Sequence, residues 1–459
     1  MKGLAARNGG RVGLAALVAI LLLGLGLRVD DAWEGRAPVY DAAAYATIAA
    51  NLERGEGFTL GDAATQPASN YSPGLPLFVA GLYALSGGVH ERLARVVLAL
   101  VGSLSVLFAY LIGRRLSGPG AGLIGAGAVA IYPALLEYQG MLMSEPLAAT
   151  LLSGAVLAML WAAATDPADS SYARWLVPGV LLGALALTRP EYLAISLPIA
   201  VVVFARGGRA GWRPCLAQAA IMVAGLAIIL APWTIRNAVA LDRFVPVSTG
   251  GGQVLFSGAY LPSGGDPEKV GVEVLKRHPG LRRQLAADHL PPGAEPTLGA
   301  VLASVRLEQI LSALAAQRYP DLESDAALAR MGRERLWSEV SGEPLPYAGF
   351  VAAKIGRIWS HGPRDVMHEP LWAALHWALI ALGLLGLAIL AWQRRWEALL
   401  LGVVLVAVTA TAALLVASPR RLLVAIPLLA ALAGVGAVWV WGTLSERSRN
   451  TDEARLRSP

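Results

Sequence analysis

Residues 175–205 read WLVPGVLLGALALTRPEYLAISLPIAVVVFA. The run is apolar enough to lie in a bilayer and well beyond the ~20 residues that one span requires. Near its middle stands Thr188-Arg189-Pro190-Glu191, a helix-ending proline between two charges that hydrocarbon disfavours. Two short helices meeting at a polar tip satisfy both constraints, and this choice fixes the parity of every later segment. Assigned in the same way, apolar spans fall near 12–28, 93–113, 119–137, 145–163, 175–188, 191–205, 215–235, 371–391, 397–416 and 422–441.

About ten spans with the N-terminus inside put the basic loops on the cytoplasmic side, as the distribution of Lys and Arg demands. Those loops hold Arg114 and Arg115, Arg174, the cluster Arg206, Arg209 and Arg213, and Arg394 and Arg395, with the Arg-rich tail from Arg447 beyond the last span. The stretch from Glu137 to Ser144, assigned to the other side, has no Lys or Arg. Parity also decides Pro73 to Gly88, which is apolar but short. Were it to cross, every later basic loop would face outward, so it is read as a helix on the outer surface, with Ser72 as N-cap and Pro73 at its first position.

Composition agrees with this class. Of 459 residues, 56% are hydrophobic and 15% charged, with a mean hydropathy of +0.55, which excludes an ordinary soluble domain. The net charge of +6 is explained by topology and does not call for nucleic acid. The single cysteine, Cys215, excludes an internal disulfide and a multi-cysteine metal site. The 50 glycines suit helices that approach closely in lipid. Lys2, Arg7 and Arg11 ahead of Val12 to Leu27 resemble a signal peptide, but no small-x-small cleavage pattern follows, so this is expected to be a retained first span.

The expected organisation is an N-terminal transmembrane catalytic module over 1–237 with a first outer loop at 29–92, an extracytoplasmic subdomain over 238–370, C-terminal transmembrane helices over 371–444 and a cytoplasmic tail over 445–459. The first outer loop carries amphipathic surface helices: Asp41 opens one on which Tyr45, Ile48 and Leu52 share a face. The subdomain is expected to be small and mostly helical, with helices near 298–317, 321–340 and 347–360. The Gly250-Gly251-Gly252 run is expected to turn between strand-like pieces at 244–247 and 254–256. The polar tail after Ser445 is expected to be disordered.

Walker A, His-Glu-x-x-His and Gly-x-Ser-x-Gly signatures are missing from the chain, and no Gly-x-Gly-x-x-Gly follows a strand, which makes ATP or a dinucleotide a poor substrate. The ionisable residues instead gather at outer helix ends. Arg189, Arg236, Arg420 and Arg421 are costly there, and a guanidinium that stays charged and binds bidentately suits a phosphate at the lipid edge. A single such arginine is equally explained by snorkelling, and Asp41 and Glu145 by helix capping; the set is harder to explain that way. Asp41 is placed to take a proton from an acceptor. Glu145, in Met143-Ser144-Glu145-Pro146, opens a span at its outer end, and Tyr45, Ser72 and Glu191 are expected to line the acceptor side of the same cavity. His361, Asp365, His368 and Glu369 cluster before the eighth span, but their spacing matches no strong metal-ligand motif.

In chain order, these residues sit in a series of short motifs. They are Asp41-x-x-x-Tyr45, Ser72-Pro73-Gly74-Leu75-Pro76 with Phe78 and Tyr83, Ser144-Glu145-Pro146, Thr188-Arg189-Pro190, Pro232-Trp233-Thr234-Ile235-Arg236-Asn237 with Arg243-Phe244-Val245-Pro246, and Pro419-Arg420-Arg421-Leu422-Leu423 with Pro427. In this series the chain resembles the GT-C superfamily of membrane glycosyltransferases, in the group of dolichyl-phosphate-mannose protein mannosyltransferases and bacterial lipid A aminoarabinose transferases.

The resemblance implies an all-α, GT-C-like polytopic protein of the plasma (inner) membrane. It implies an inverting transferase that moves a hexose or pentose from a polyprenyl- or dolichyl-type phosphate to an extracytoplasmic protein, lipid or glycan. Asp41 matches the first-loop aspartate that acts as base or orients the acceptor, and Glu145 an acidic position facing the same cavity. Arg236 and Arg420 match cations near the donor phosphate. Two positions depart from the pattern: Ala42 stands where many relatives carry a second acid, and Ser72 where aminoarabinose transferases carry a lysine. A lipid donor brings no nucleotide diphosphate, so no cofactor is required and a divalent metal is not obligatory.

The rival class is a transporter or flippase of lipid-linked sugars. Transporters tend to show internal repeats and midplane charges, and neither is evident in the sequence. In a chain whose Cys215 is replaced, a cysteine at position 41 or 236 is expected to react from outside with a membrane-impermeant maleimide. Labelling only after permeabilisation would reverse the assigned orientation.

Overall fold

The computed structural model describes residues 2–38, 40–61, 66–164, 172–206, 211–360 and 362–457. Its first ten helices are α1 (Lys2–Glu34), α2 (Asp41–Glu53), α3 (Gly74–Ser86), α4 (Glu91–Ser117), α5 (Pro119–Ile131), α6 (Pro133–Glu137), α7 (Ser144–Ala162), α8 (Leu176–Thr188), α9 (Glu191–Ala205) and α10 (Trp212–Leu241). An intervening segment adds α11 (Gly251–Ala259), α12 (Lys269–Arg277), α13 (Pro279–His289), α14 (Leu298–Ser304), α15 (Leu307–Arg318), α16 (Ser324–Gly342) and α17 (Pro344–Ser360). The chain closes with α18 (Pro370–Trp392), α19 (Trp396–Leu414) and α20 (Ile426–Arg457), the last preceded by a 3-10 stretch, Pro419–Ala425. Among the described residues the one sheet is a two-strand antiparallel pair, Thr59–Leu60 with Gln66–Pro67.

The chain is a multi-pass membrane protein. Among the described residues, seven helices are long and apolar enough to cross a bilayer: Arg11–Glu34, Glu91–Ser117, Ser144–Ala162, Trp212–Leu241, Pro370–Trp392, Trp396–Leu414 and Pro419–Ser448. The other three segments read as spans are shorter apolar helices, Pro119–Ile131, Tyr172–Thr188 and Glu191–Ala205, as is Gly74–Ser86. The helix pair α14 and α15, bent by 109°, instead buries Val301, Ile310, Leu311 and Leu314 in a core of the intervening segment with Phe256, Val270 and Leu281.

With lipid on the outside, apolar burial alone does not select which helices touch, and close backbone packing takes over. A Cβ at Gly434 of α20 would lie 2.0 Å from the Ala121 carbonyl oxygen of α5, and one at Gly179 of α8 would lie 2.0 Å from that of Met222 in α10. Glycine at these points lets α20 sit against α5 and α4, and α8 against α10. The C-terminal helices therefore pack back into the N-terminal ones and form one core with α7 at its centre.

The helices run between two distinct ends. At one, Arg206 lies over Trp175 and Trp396 at 5.1 and 5.3 Å, and Arg395 donates to the Leu116 carbonyl at 2.6 Å. The C-terminal ends of α4, α9 and α18 and the residues that open α8 and α19 meet there, and α1 starts and α20 finishes at this basic end. The opposite end receives the N-termini of α2, α3, α7 and α9.

Several sequence expectations are corrected. Residues 244–247 form no strand, and 254–256 lie within the helix 251–259: Gly250 takes φ +89°, and the Asp325 carboxylate accepts from the Gly252 and Gln253 amides at 2.8 and 3.3 Å. The surface helix starts at Gly74 with Pro73 as N-cap, so Ser72 is not its cap. The tail after Ser445 is helical as far as Arg457, since no Gly or Pro interrupts a run rich in Arg and Glu.

The span expected at 119–137 breaks into α5 and α6 at Tyr132, which is extended with ψ 111°. Pro133 lacks an amide hydrogen, so the Val129 carbonyl loses its helical donor. Arg28, 1% exposed, replaces it: Nη2 donates to Val129 O at 2.8 Å and Nη1 to Ala130 O at 3.2 Å and Gly24 O at 3.0 Å. A cation at the C-terminal end of α5 also complements its dipole. Arg28→Leu is expected to lower stability in detergent by ~1–3 kcal/mol through orphaned carbonyls, and less in a Pro133→Ala background. Equal losses in the two backgrounds, measured by thermal unfolding, would dissociate Arg28 from the break.

Candidate active site at the helix ends

At the end opposite the basic one, a polar cavity of about 300 Å³ is lined by Asp41, Tyr45, Ser72, Ser144, Thr188, Arg189, Pro190, Glu191, Pro267, Val416, Ser418, Arg420 and Arg421. Six elements meet there. α2 begins at Asp41, α7 begins at Ser144, α8 and α9 meet at Arg189-Pro190, α3 crosses the end of α8, and the 3-10 stretch brings Arg420 and Arg421. The crossing is tight: a Cβ at Gly74 would fall 2.4 Å from the Thr188 Oγ1 and 2.7 Å from its backbone, so the Ser-Pro-Gly entry to α3 lies directly on the Arg189 tip.

The charges form one connected network. Glu145 is fully buried, and its Oε1 accepts from Arg189 Nη1 at 2.9 Å and from Arg420 Nε. Arg189 Nε also donates to Glu191 Oε1 at 3.0 Å, with Nη2 at 2.9 Å from the same oxygen, and Arg421 Nη1 donates to that oxygen at 3.0 Å. Arg420 Nη1 donates to Asp41 Oδ2 at 2.9 Å. Three guanidinium groups thus face three carboxylates. Buried ions must be paired in this way, because desolvation of a lone one costs several kcal/mol.

The members differ in how much they offer to a ligand. Asp41 has 43% of its side chain exposed, against none for Glu145. Asp41 is the first residue of α2, following Tyr40 at φ 50°, and its side chain makes no cap; it bonds to Arg420 instead. Glu145 reaches the cavity only through the arginines it holds. Arg189 spends its nitrogens on Glu145, Glu191 and Ser144. Arg420 and Arg421 keep several of the five N–H groups a guanidinium carries, since one arginine binds through Nε and Nη1 and the other through Nη1.

Aromatic rings set the walls. Tyr45 stacks edge-on against Tyr71 at 5.8 Å, and Arg420 lies 5.9 Å from the Tyr138 ring centre. Burial pushes the Tyr45 hydroxyl up, with Asp41 and Glu145 adding to it, and burial pushes Tyr71 up to about 12. Both phenols stay neutral and can only donate or accept hydrogen bonds near neutral pH.

Arg236 does not line this cavity. It lies within α10, over Trp233 at 4.9 Å and Phe58 at 5.8 Å, with Nη1 donating to Asn237 Oδ1 at 3.1 Å. Asp365 and His368 occupy a 3-10 turn followed by Glu369, and His361 lies outside the described residues. No group of three or more His, Cys, Asp or Glu side chains suited to a metal occurs among the described residues. Sequence reasoning did not find Pro267, which comes from the intervening segment, nor Val416, Ser418 and Tyr138. Nothing in their local sequence marks them; only the fold brings them in.

Residues 69–235 match the model of the dolichyl-phosphate-mannose-protein mannosyltransferase family. The structure is similar to that of the archaeal oligosaccharyltransferase AglB from Archaeoglobus fulgidus in complex with an inhibitory peptide and a dolichol-phosphate, with TM-score 0.58 and 18% identity over 96% of this chain and 52% of that one. The same oligosaccharyltransferase tethered to an acceptor peptide containing the NVT sequon gives 0.57 and 16%, over 94% and 50%. ArnT from Cupriavidus metallidurans bound to undecaprenyl phosphate gives 0.41 and 15%, over 94% and 77%. For the oligosaccharyltransferase the likeness is one of fold, and the chain spans about half its length. No curated protein matches it by sequence.

Glu145→Gln removes the shared anion between Arg189 and Arg420 and is expected to cost ~3–5 kcal/mol, the range for breaking a buried pair. The thermal unfolding temperature should fall. A variant of parental stability that loses only turnover would instead make Glu145 a direct participant in the chemistry.

Proposed function

We propose that the chain is an integral membrane glycosyltransferase that moves one sugar from a polyprenyl-phosphate donor to an extracytoplasmic acceptor, with inversion at the anomeric carbon. The observation that carries this reading is the pairing of one half-exposed carboxylate, Asp41, with the incompletely used guanidinium groups of Arg420 and Arg421 across a single cavity. The sequence likeness over residues 69–235 to a mannosyltransferase family supports it, as does a fold shared with a protein solved with a dolichol-phosphate.

In the proposed step an acceptor oxygen attacks the anomeric carbon as the bond from that carbon to the phosphate oxygen breaks. The acceptor proton passes to Asp41, and the electron pair leaves with the lipid phosphate. A single displacement inverts the centre. Phosphate is a competent leaving group, so the protein must chiefly stabilise the charge that grows on it. Arg420 and Arg421 do this through their remaining N–H groups, with Arg189 as the strut that fixes both through Glu145 and Glu191. Tyr45, Ser72 and Glu191 shape the acceptor side. Holding both substrates in one cavity supplies further acceleration through orientation. The residues need no metal to balance this step.

Both termini leave from the basic end, which is assigned to the cytoplasm of a cell with its plasma (inner) membrane crossed several times. The cavity then opens on the extracytoplasmic side. A flippase would carry its charges along the bilayer midplane, whereas Asp41, Ser144, Glu145, Arg189 and Glu191 begin or end their helices.

Asp41→Asn is expected to lower transfer by ~10²–10⁴-fold, the usual contribution of a positioned base. The assay follows radiolabel from polyprenyl-phosphate sugars into crude acceptor fractions in isolated membranes. Full activity in membranes with normal expression would remove Asp41 from the mechanism.

A further inference from the structure

Lys354 lies in α17 outside the cavity and is 2% exposed. Its Nζ donates to the Gly258 carbonyl at 2.8 Å and to the Leu415 carbonyl at 2.9 Å and stands 5.1 Å from the Phe350 ring centre. No carboxylate pairs with it among the described residues. A buried ammonium answered only by carbonyl dipoles is unusual, because burial of a charge is ordinarily balanced by an opposite one.

The two carbonyls belong to the two segments that make one wall of the cavity. Gly258 lies in the last turn of α11, which leads to the Gly264-Gly265 turn and then to Pro267. Leu415 ends α19, and Val416 and Ser418 follow before Arg420 and Arg421. Pro267, Val416, Ser418 and both arginines line the cavity. The segments touch by backbone: a Cβ at Gly258 would lie 2.0 Å from the Leu415 carbonyl oxygen, and one at Gly265, at φ +76°, would lie 2.5 Å from the Lys354 Cγ. The lysine stem and head therefore fill the joint between the intervening segment and the loop that delivers the arginine pair.

We infer that Lys354 is a positioning residue for the phosphate site, its ammonium fixing the Leu415-to-Ser418 loop so that Arg420 and Arg421 face the cavity. This rests on the donor reading given under Proposed function. It also adds a positive charge beside a network whose three arginines and three carboxylates cancel. Among the described residues the charge acting on Lys354 is that of Arg421, and burial first, then that like charge, bring its ammonium down to about 8. Asp266, beyond the Gly264-Gly265 turn, is engaged by Lys269 and Arg357 instead.

The test titrates the purified full chain in detergent with undecaprenyl phosphate and with undecaprenol as the uncharged control. Lys354→Met is expected to weaken binding of the phosphate about tenfold, as expected for losing charge-assisted hydrogen bonds, and to leave undecaprenol binding unchanged. In the parent, affinity for the phosphate should fall as pH rises through about 8, where the ammonium gives up its proton. Lys354→Arg stays charged and should show a flat profile, which keeps the inference testable if the methionine variant fails to fold. Parental affinity in Lys354→Met, or a parental pH profile in Lys354→Arg, overturns the inference. A parent chain that binds undecaprenol as tightly as its phosphate refutes the donor reading itself, and this inference with it.

Discussion

The site depends on a carboxylate that no solvent reaches. Glu145 opens α7, the most enclosed of the spanning helices, and one of its oxygens accepts from both Arg189 and Arg420. A buried anion imposes strict geometry on its partners, because each ångström of separation in a low-dielectric interior is expensive. The tip between α8 and α9 and the 3-10 stretch before α20 are therefore referenced to one point. Glu191 repeats the device one step outward, joining Arg189 to Arg421.

This arrangement separates two jobs that look alike in the sequence. Arg189 has its nitrogens committed to protein oxygens and serves as scaffold, while Arg420 and Arg421 retain donors toward the cavity. Asp41 is the network's most exposed acid, and it is tied by one hydrogen bond rather than several. The buried members hold, and the exposed members remain available to a ligand.

Much of this was legible in the chain, for a physical reason. Charges at the ends of apolar helices cost free energy, so Arg189, Arg420, Arg421, Glu145 and Asp41 stood out by their placement, and the all-α polytopic class followed from hydropathy. The pairings did not stand out, since which acid meets which base depends on helix packing set by glycines such as Gly179 and Gly434. Arg236 shares the placement of the others, yet α10 carries it to Trp233 and Phe58 instead. Arg28 read as the end of a first span, because its role answers a missing amide at Pro133, far away in sequence. The helix at 251–259 read as strand because Val254, Leu255 and Phe256 suit either form, and the deciding cap comes from Asp325.

The Asp41–Arg420 contact joins residues 379 positions apart, the first from the beginning of the membrane part and the second from the foot of α20. Ribosomes deliver these ends in order, so the cavity has no complete lining until the final long helix has been threaded into the bilayer and docked against α5. Before that moment Glu145 and Arg189 stand without their third partner in a half-built bundle. Packing of the helices and completion of the cavity are thus the same event.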